Sequence, residues 1–312
     1  MNPPAAPFAI PPIVTYAVPG FVLLIIIEML VVRFSKKGNG RYEYRDSATS
    51  LAMGLGNRVF DIMFGGFVVV AYYWFAQFRL FDLGWTWPVL VACFFGEDLA
   101  YYWFHRTAHE RRFFWASHVV HHSSQHYNLT TALRQSWTGA IGLCFIFHLP
   151  LVLIGFPPEM VFMFSAISLV YQFWIHTETI GRMGPFEWVM NTPSHHRVHH
   201  AINAKYLDAN YAGVLIIWDR LFGSFVPEDE EKPRYGIVSQ LGTFNPFRVA
   251  FHEWAGIWRD VTHAKKLSHV FGYVFGPPGW SPDGSRKTSR SIKADWAKKQ
   301  QQAPPPAAVA AE

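Results

Sequence analysis

Twelve of the chain's 15 histidines lie between His105 and His200. Nine of them fall in three groups: His105 with His109; His118 with His121 and His122; and His195, His196, His199 and His200, with His176 alone before the last. Imidazole is the commonest nitrogen ligand for iron, zinc and copper. Histidines three or four apart on a helix point the same way, so one ion can be gripped by two of them. The doublets let one helix offer ligands to two ions. Eight or more ligands are too many for one metal, which points to two ions side by side. Thiolates are absent from the groups, which disfavours copper(I) and iron–sulfur chemistry. All-nitrogen sites with spare coordination suit iron that binds oxygen, and zinc accepts the same ligands. Bis-histidine haem needs single histidines at mid-depth on two helices, whereas these cluster at helix ends.

The elements that must position these groups are apolar helices. The chain is 51% hydrophobic and 17% aromatic but only 16% charged, against roughly 25% charged in soluble domains. Mean hydropathy is only +0.10, so polar segments are substantial too. Apolar runs cover residues 13–32, 59–78, 87–104, 138–156 and 159–174. Runs of this length cross a bilayer as helices. Glu28, near the basic end of the first run, is expected to pair or to reach the interface. The basic loop Arg33, Lys36, Lys37, Arg41 and Arg45 belongs in the cytoplasm by the positive-inside rule. Alternating the crossings from there puts all three histidine groups and the C-terminus on the cytoplasmic side. The fourth and fifth runs, joined by residues 155–158 (GFPP), are alternatively a re-entrant hairpin. The expected fold is therefore an all-α integral membrane bundle of about four to five spans under a cytoplasmic, histidine-rich helical cap.

Four parts are expected: N-terminal membrane helices (1–83), a catalytic domain (84–226), a cytoplasmic helical segment (227–275) and a disordered tail (276–312) rich in Pro, Gly, Ser and Lys. Residues 227–233 (PEDEEKP) read as a solvated loop. Cys93 and Cys144 lie in apolar runs and read as packing residues, as does His148. His252, His263 and His269 read as surface histidines. The N-terminus lacks a basic n-region, so no signal peptide is expected. The net charge of +5 fits loops facing anionic lipid, not a nucleic-acid surface.

Asp98, Tyr102, His105 and His109 share one helical face. Asp98 is a candidate to accept the second ring proton of a ligand and fix its tautomer; a buried carboxylate paired with an arginine is the equal alternative.

The pattern of the three groups after apolar helices resembles the fatty acid hydroxylase/sterol desaturase superfamily of membrane di-iron enzymes. Residues 102–110 (YWFHRTAHE), 121–136 (HHSSQHYNLTTALRQS), 171–178 (YQFWIHTE), 191–200 (NTPSHHRVHH) and 210–225 (NYAGVLIIWDRLFGSF) carry the resemblance to its ether-lipid-oxidising branch. Sterol desaturases have a further histidine pair after the second group. Here residues 130–135 (TTALRQ) have none, which favours the ether-lipid branch.

The resemblance implies His105, His109, His118, His121, His122, His196, His199 and His200 as iron ligands. It adds His176 and His195 as further ligands and Glu110 as the acidic residue after the first motif. It implies two iron ions, O2, a membrane lipid substrate, and an electron donor that is tetrahydrobiopterin or a reductase. The reaction would be oxygen insertion at an unactivated C–H bond of an alkylglycerol. Fatty acyl, sterol and carotenoid hydroxylation or desaturation are the alternatives within the family, and a metal-binding or transport protein is the alternative outside it. Trp115, Tyr127, Tyr171 and Trp174 are candidate substrate-lining residues, with an interfacial aromatic belt as the plainer reading.

Overall fold

The computed structural model describes residues 6, 7, 9–35 and 40–302. Lys36 and Lys37 of the basic loop, and the Ala/Pro-rich stretch 303–312, lie outside the described residues. Within them the regular elements are helices, and one isolated antiparallel bridge joins Met190 to Leu215.

Helices α1 (Ile13–Phe34) and α2 (Tyr44–Phe75) are the long apolar elements. Both are long and apolar enough to cross a membrane, with a 3-10 turn carrying the second to Phe78. Their apolar side chains, from Val22 to Val31 and from Val59 to Trp74, are largely uncovered by protein, as suits helices bathed in lipid. α3 (Trp87–Glu110) starts with proline in its first turn, where the missing N–H costs nothing. It is about 36 Å long at 1.5 Å per residue. Its first half packs through Cys93 in an apolar core with Tyr72, Val152 and Met160; its last two turns carry His105 and His109. α4 (Arg112–His122) turns back along it after the extended Arg111. α6 (Pro158–Trp174) packs against α1 and α3.

The fourth apolar run is not a spanning helix. Residues 138–148 are turns and 3-10 structure, and only Leu149–Ile154 (α5) is α-helical. Gly139 and Gly142, then Leu143 in the left-handed region at φ 52°, interrupt the helix, and Pro150 removes a donor. The piece folds back against α2 and α3.

The polar half follows. α7 (Pro193–His199) has proline at its start and all seven residues buried. α8 (Ile217–Leu221) is a single short turn. α9 (Pro246–Thr262) is capped by Asn245, whose side chain accepts from the Phe247 and Arg248 amides. α10 is Leu267–Phe275 and α11 is Ser289–Gln302. The expectation of disorder from residue 276 is therefore not met as far as Gln302. Arg286 fixes this stretch through two bonds of 2.6 and 2.7 Å to Asp260 on α9, a tie that composition does not reveal.

Buried polar groups fasten the membrane half to the polar half. Glu28 is buried and accepts from the Leu129 amide (2.8 Å), the Tyr42 hydroxyl and the Thr177 hydroxyl. It is a staple, not an interfacial carboxylate. At the start of α2, Asp46 takes a 2.8 Å ion pair from the fully buried Arg134. Replacing Glu28 by Ala leaves three donors without their acceptor. Each orphaned donor costs about 1–3 kcal/mol, so Glu28→Ala is expected to lower the melting temperature in detergent by several degrees. An unchanged melting temperature would show that other groups satisfy these donors.

Candidate metal centre

Three helices and one helix end bring nine histidines together. α3 presents His105 and His109, α4 presents His118, His121 and His122, and α7 with its C-cap presents His196, His199 and His200; His176 follows the last turn of α6. They sort into two sets. His105, His109, His118, His122 and His199 have one ring nitrogen each within 4.8 Å of one another, as do His121, His176, His196 and His200. The doublets split: His122 and His199 join the first set, His121 and His200 the second. The His122 and His200 rings stack at 4.3 Å, so the sets are neighbours.

The ring nitrogens face each other. In the first set the Nε2–Nε2 separations are 2.9 Å (His105–His118), 3.1 Å (His118–His122) and 3.1 Å (His122–His199). In the second they are 3.0 Å (His121–His176), 3.0 Å (His176–His196) and 3.2 Å (His196–His200).

The backbone decides what these contacts are. His105 Nδ1 lies 2.7 Å from the Tyr211 carbonyl, His176 Nδ1 2.7 Å from that of Gln172, and His199 Nδ1 2.9 Å from that of Ala209. A carbonyl only accepts, so each Nδ1 carries the proton. Burial, then the neighbouring imidazoles, hold His118 and His122 well below the usual imidazole range. Burial pushes His176 down to about 4. Neutral rings have one proton each, so the Nε2 atoms of His105, His176 and His199 are bare lone pairs aimed inward. His176 Nε2 faces two other nitrogens, and His109 Nε2 is buried with no partner at all.

Lone pairs converging without protons are a cage for a cation. Ligands at right angles around an ion, at metal–nitrogen bonds of about 2.1 Å, sit about 3.0 Å apart, which matches. Five donors in the first set exceed the four of a structural zinc site and fit a metal of higher coordination.

The loop bearing the accepting carbonyls is clamped by two buried carboxylates. Asp219 accepts from the amides of Tyr211 and Ala212, both at 2.8 Å. Asp98 accepts from the amides of Val214 (2.8 Å) and Leu215 (3.0 Å) and from Trp218 Nε1 (2.9 Å). Asp98 thus touches no ligand ring: it holds the loop that does, and neither a direct imidazole contact nor an arginine pair describes it. Glu110 is exposed and pairs with Arg106 at 2.9 Å, outside both sets. The carboxylate near the cage is Asp208, 3.7 Å from His109 Nδ1. His195 also falls outside the sets; it lies 3.9 Å from Glu187 and its ring packs on Phe225.

Of the four aromatic candidates, Trp115 stands against the cage, its ring 5.1 Å from His109, and lines an adjoining cleft. Tyr127 props the second set from behind, 5.1 Å from His200 and stacked on Tyr235. Tyr171 donates to the Asn191 carbonyl at 2.6 Å and packs on Trp174; these two brace the third motif from outside the cleft.

Sequence reasoning misses Asp208, Asp219 and Glu228. The segment 227–233 is no free solvated loop, because Glu228 grips Arg197, inside the third motif, through bonds of 2.8 and 2.7 Å. The one available signal was the run of acids soon after the histidines.

The cleft has a volume of about 880 Å3 and opens beside His109, His122, His199 and His200. A helical scaffold with two helices long and apolar enough to cross a membrane and two adjoining histidine sets that could each hold a metal ion defines the class. Residues 90–224 match the fatty acid hydroxylase family. Curated relatives are the alkylglycerol monooxygenases of Xenopus tropicalis and Homo sapiens, each 43% identical over 89% of this chain. An ornithine lipid hydroxylase of Rhizobium tropici is 28% identical over 45% of this chain and 43% of its own length. The chain spans 61% and 62% of the length of the two alkylglycerol monooxygenases. No solved structure matches significantly.

Loosening the clamp should loosen the metal. Loss of such supporting bonds typically costs 10–100-fold in metal affinity, so Asp219→Ala should surrender a bound metal to a chelator at correspondingly lower concentration. Glu110→Gln should hold it as the unaltered protein does. Equal retention by the two variants would mean that the loop does not set the ligand rings.

Proposed function

We propose that the protein is a membrane di-iron oxygenase that inserts oxygen at a lipid C–H bond, with ether lipids as substrates. The observation that carries this is the pair of neutral, inward-facing histidine cages at the end of a cleft. The alkylglycerol monooxygenases at 43% identity support the ether-lipid class.

His105, His109, His118, His122 and His199 would hold one iron, and His121, His176, His196 and His200 the other. The bound irons supply the redox chemistry that activates O2. The chain's own residues do the rest. The Tyr211, Gln172 and Ala209 carbonyls keep the ring protons on Nδ1, so Nε2 stays a donor of electrons. Asp98 and Asp219 hold the loop rigid, and Trp115 walls the cage from the side of α4. An alkylglycerol hydroxylated at the carbon next to its ether oxygen is a hemiacetal, which separates into a fatty aldehyde and glycerol.

The cage and the C-terminus face the cytoplasm in this reading, on the side of Arg33, Arg41 and Arg45. The electron donor is a reduced pterin or a reductase. Residues 1–83 serve as the membrane anchor, and 84–226 as the catalytic domain. The ornithine lipid hydroxylase among the relatives makes hydroxylation of a lipid of another class the second reading.

The test is oxygen-dependent turnover in membranes containing the full chain, a labelled alkylglycerol and reduced pterin. Fatty aldehyde should form with the unaltered protein and fall to background in His121→Ala and in His122→Ala, which break one cage each. Each variant should also lose about one of two bound irons, because a ligand-deficient site binds weakly. Aldehyde production that survives both substitutions would sink the reading. Iron without aldehyde would redirect the search to acyl, sterol or carotenoid substrates.

A further inference from the structure

α10 is covered by protein on one side only. Its inner side carries Gly272 and Tyr273, which pack on Trp280, with the Tyr273 and Trp280 rings 5.3 Å apart. Leu267, Phe271 and Phe275 stand at i, i+4 and i+8, on one helical face. That face is bare: Leu267 is 72% exposed and Phe271 57%. α9 packs beside it, and Trp258 near its end is also 72% exposed. A contiguous patch of large apolar side chains marks a surface that something else covers.

The patch runs without a break into surface that belongs to lipid. Phe275 meets Phe113 on α4 at 6.0 Å between ring centroids, Phe113 meets Phe114 at 5.3 Å, and Phe114 meets Phe147 in the fourth apolar run at 5.2 Å. That run leaves Ile141, Leu143 and Ile146 exposed. On the other side, Phe251 of α9 reaches Phe60 at 6.5 Å, where α2 turns apolar, beside the exposed Ile62 and Met63. Cations stand at both ends of α10. Lys265 and Lys266, in the link from α9, are exposed and pair with no acid among the described residues. Arg111, also exposed, donates to the Phe275 carbonyl at 3.3 Å. Leucine and aromatic side chains on one face with cations at the rim are the pattern of a helix lying in the membrane interface, its apolar face sunk about 5–10 Å. Anionic lipid attracts such cations.

We propose that α10 and the end of α9 lie in the plane of the bilayer surface, on the side of the histidine cages. Trp258, Leu267, Phe271 and Phe275 sit among the acyl chains, and Lys265 and Lys266 at the head-group phosphates. The segment is thus a third membrane contact beside α1 and α2. The Arg112 amide, at the start of α4, donates to the Gly276 carbonyl at 2.9 Å, so this foot also sets the height of the helix that carries His118, His121 and His122. The proposal goes beyond the oxygenase reading and does not depend on it.

Spin labels report which medium meets each side chain. The background is the full chain with Cys144→Ser, whose other cysteine, Cys93, is fully buried. It is labelled singly through Trp258→Cys, Leu267→Cys and Phe271→Cys in nanodiscs of phosphatidylcholine and phosphatidylglycerol. Ile62→Cys on α2 is the lipid standard, and Glu230→Cys in the exposed acidic loop is the water standard. Relaxation is measured with oxygen, which concentrates in lipid, and with a water-soluble nickel chelate. At 258, 267 and 271 the oxygen-to-nickel ratio is expected to match that at 62 and to exceed that at 230 several-fold. A ratio like that at 230 would place the face in water and overturn the assignment. Labels shielded from both reagents would place it in a contact with a second copy or another protein, and overturn it too. Lys265→Glu/Lys266→Glu should lower the ratio at 271, because the anionic lipid repels carboxylates. A ratio unchanged by that reversal would overturn the placing of the lysines at the head groups. Circular dichroism confirms that each labelled chain is folded, and no readout depends on turnover or bound iron.

Discussion

Three hydrogen bonds from ring Nδ1 to a backbone carbonyl set the character of the centre. His105, His176 and His199 each donate their one N–H to a main-chain carbonyl, and burial keeps the neighbouring rings neutral. Their Nε2 lone pairs then have nowhere to point but at other nitrogens. A core built this way carries unsatisfied acceptors at close range, a cost that a packed interior does not normally bear. A bound cation removes that cost. The loop around residues 209–215, whose carbonyls accept two of the three protons, is therefore the part of the chain that has to be rigid. The two buried carboxylates Asp98 and Asp219 hold it so.

The same logic explains the polar staples deeper in the fold. α3 runs from an apolar core into the cage, so any slip along it would move His105 and His109 together. Glu28, Asp46 and Arg134 tie α1 and α2 to the segments around Leu129 and Thr177, just behind the second histidine group. Buried charges are weak sources of net stability, yet removing one partner is costly. Their value here is registry: they lock apolar helices, which slide easily in lipid, against the polar half that carries the chemistry.

The site is divided between two jobs. The cages sit where α3, α4 and α7 converge, and the cleft is walled on its far side by α9 and the residues leading into α11. The curated relatives act on lipids by name: alkylglycerol in two cases, ornithine lipid in the third. An amphiphile in the cleft would meet apolar walls and the metal cage in one continuous space. The C-terminal stretch past Gly276 takes part in that wall through Arg286, Lys287 and Ile292.

The sequence by itself determined the chemistry: histidines three and four apart, in doublets, at the ends of apolar helices. That spacing is local, and helical periodicity turns it directly into a shared face, so the allocation of one helix to two histidine sets was legible. Hydropathy likewise marked α1, α2 and α3. What only the tertiary structure decided depends on contacts between distant residues. Asp98 sits on the right helical face for a ligand partner, yet its acceptors are claimed by amides more than a hundred residues away. Glu110 follows the first motif directly but points to solvent, and Asp208 takes the place beside His109 instead. His195 neighbours His196 of the second set and is turned aside by the helix, because adjacent residues lie about 100° apart around its axis. The fourth apolar run has the length of a span but breaks at its glycines and Pro150. The tail has the composition of disorder but is held by Arg286 against Asp260. Periodicity speaks for neighbours in sequence; which carboxylate meets which histidine is settled only when separate helices pack.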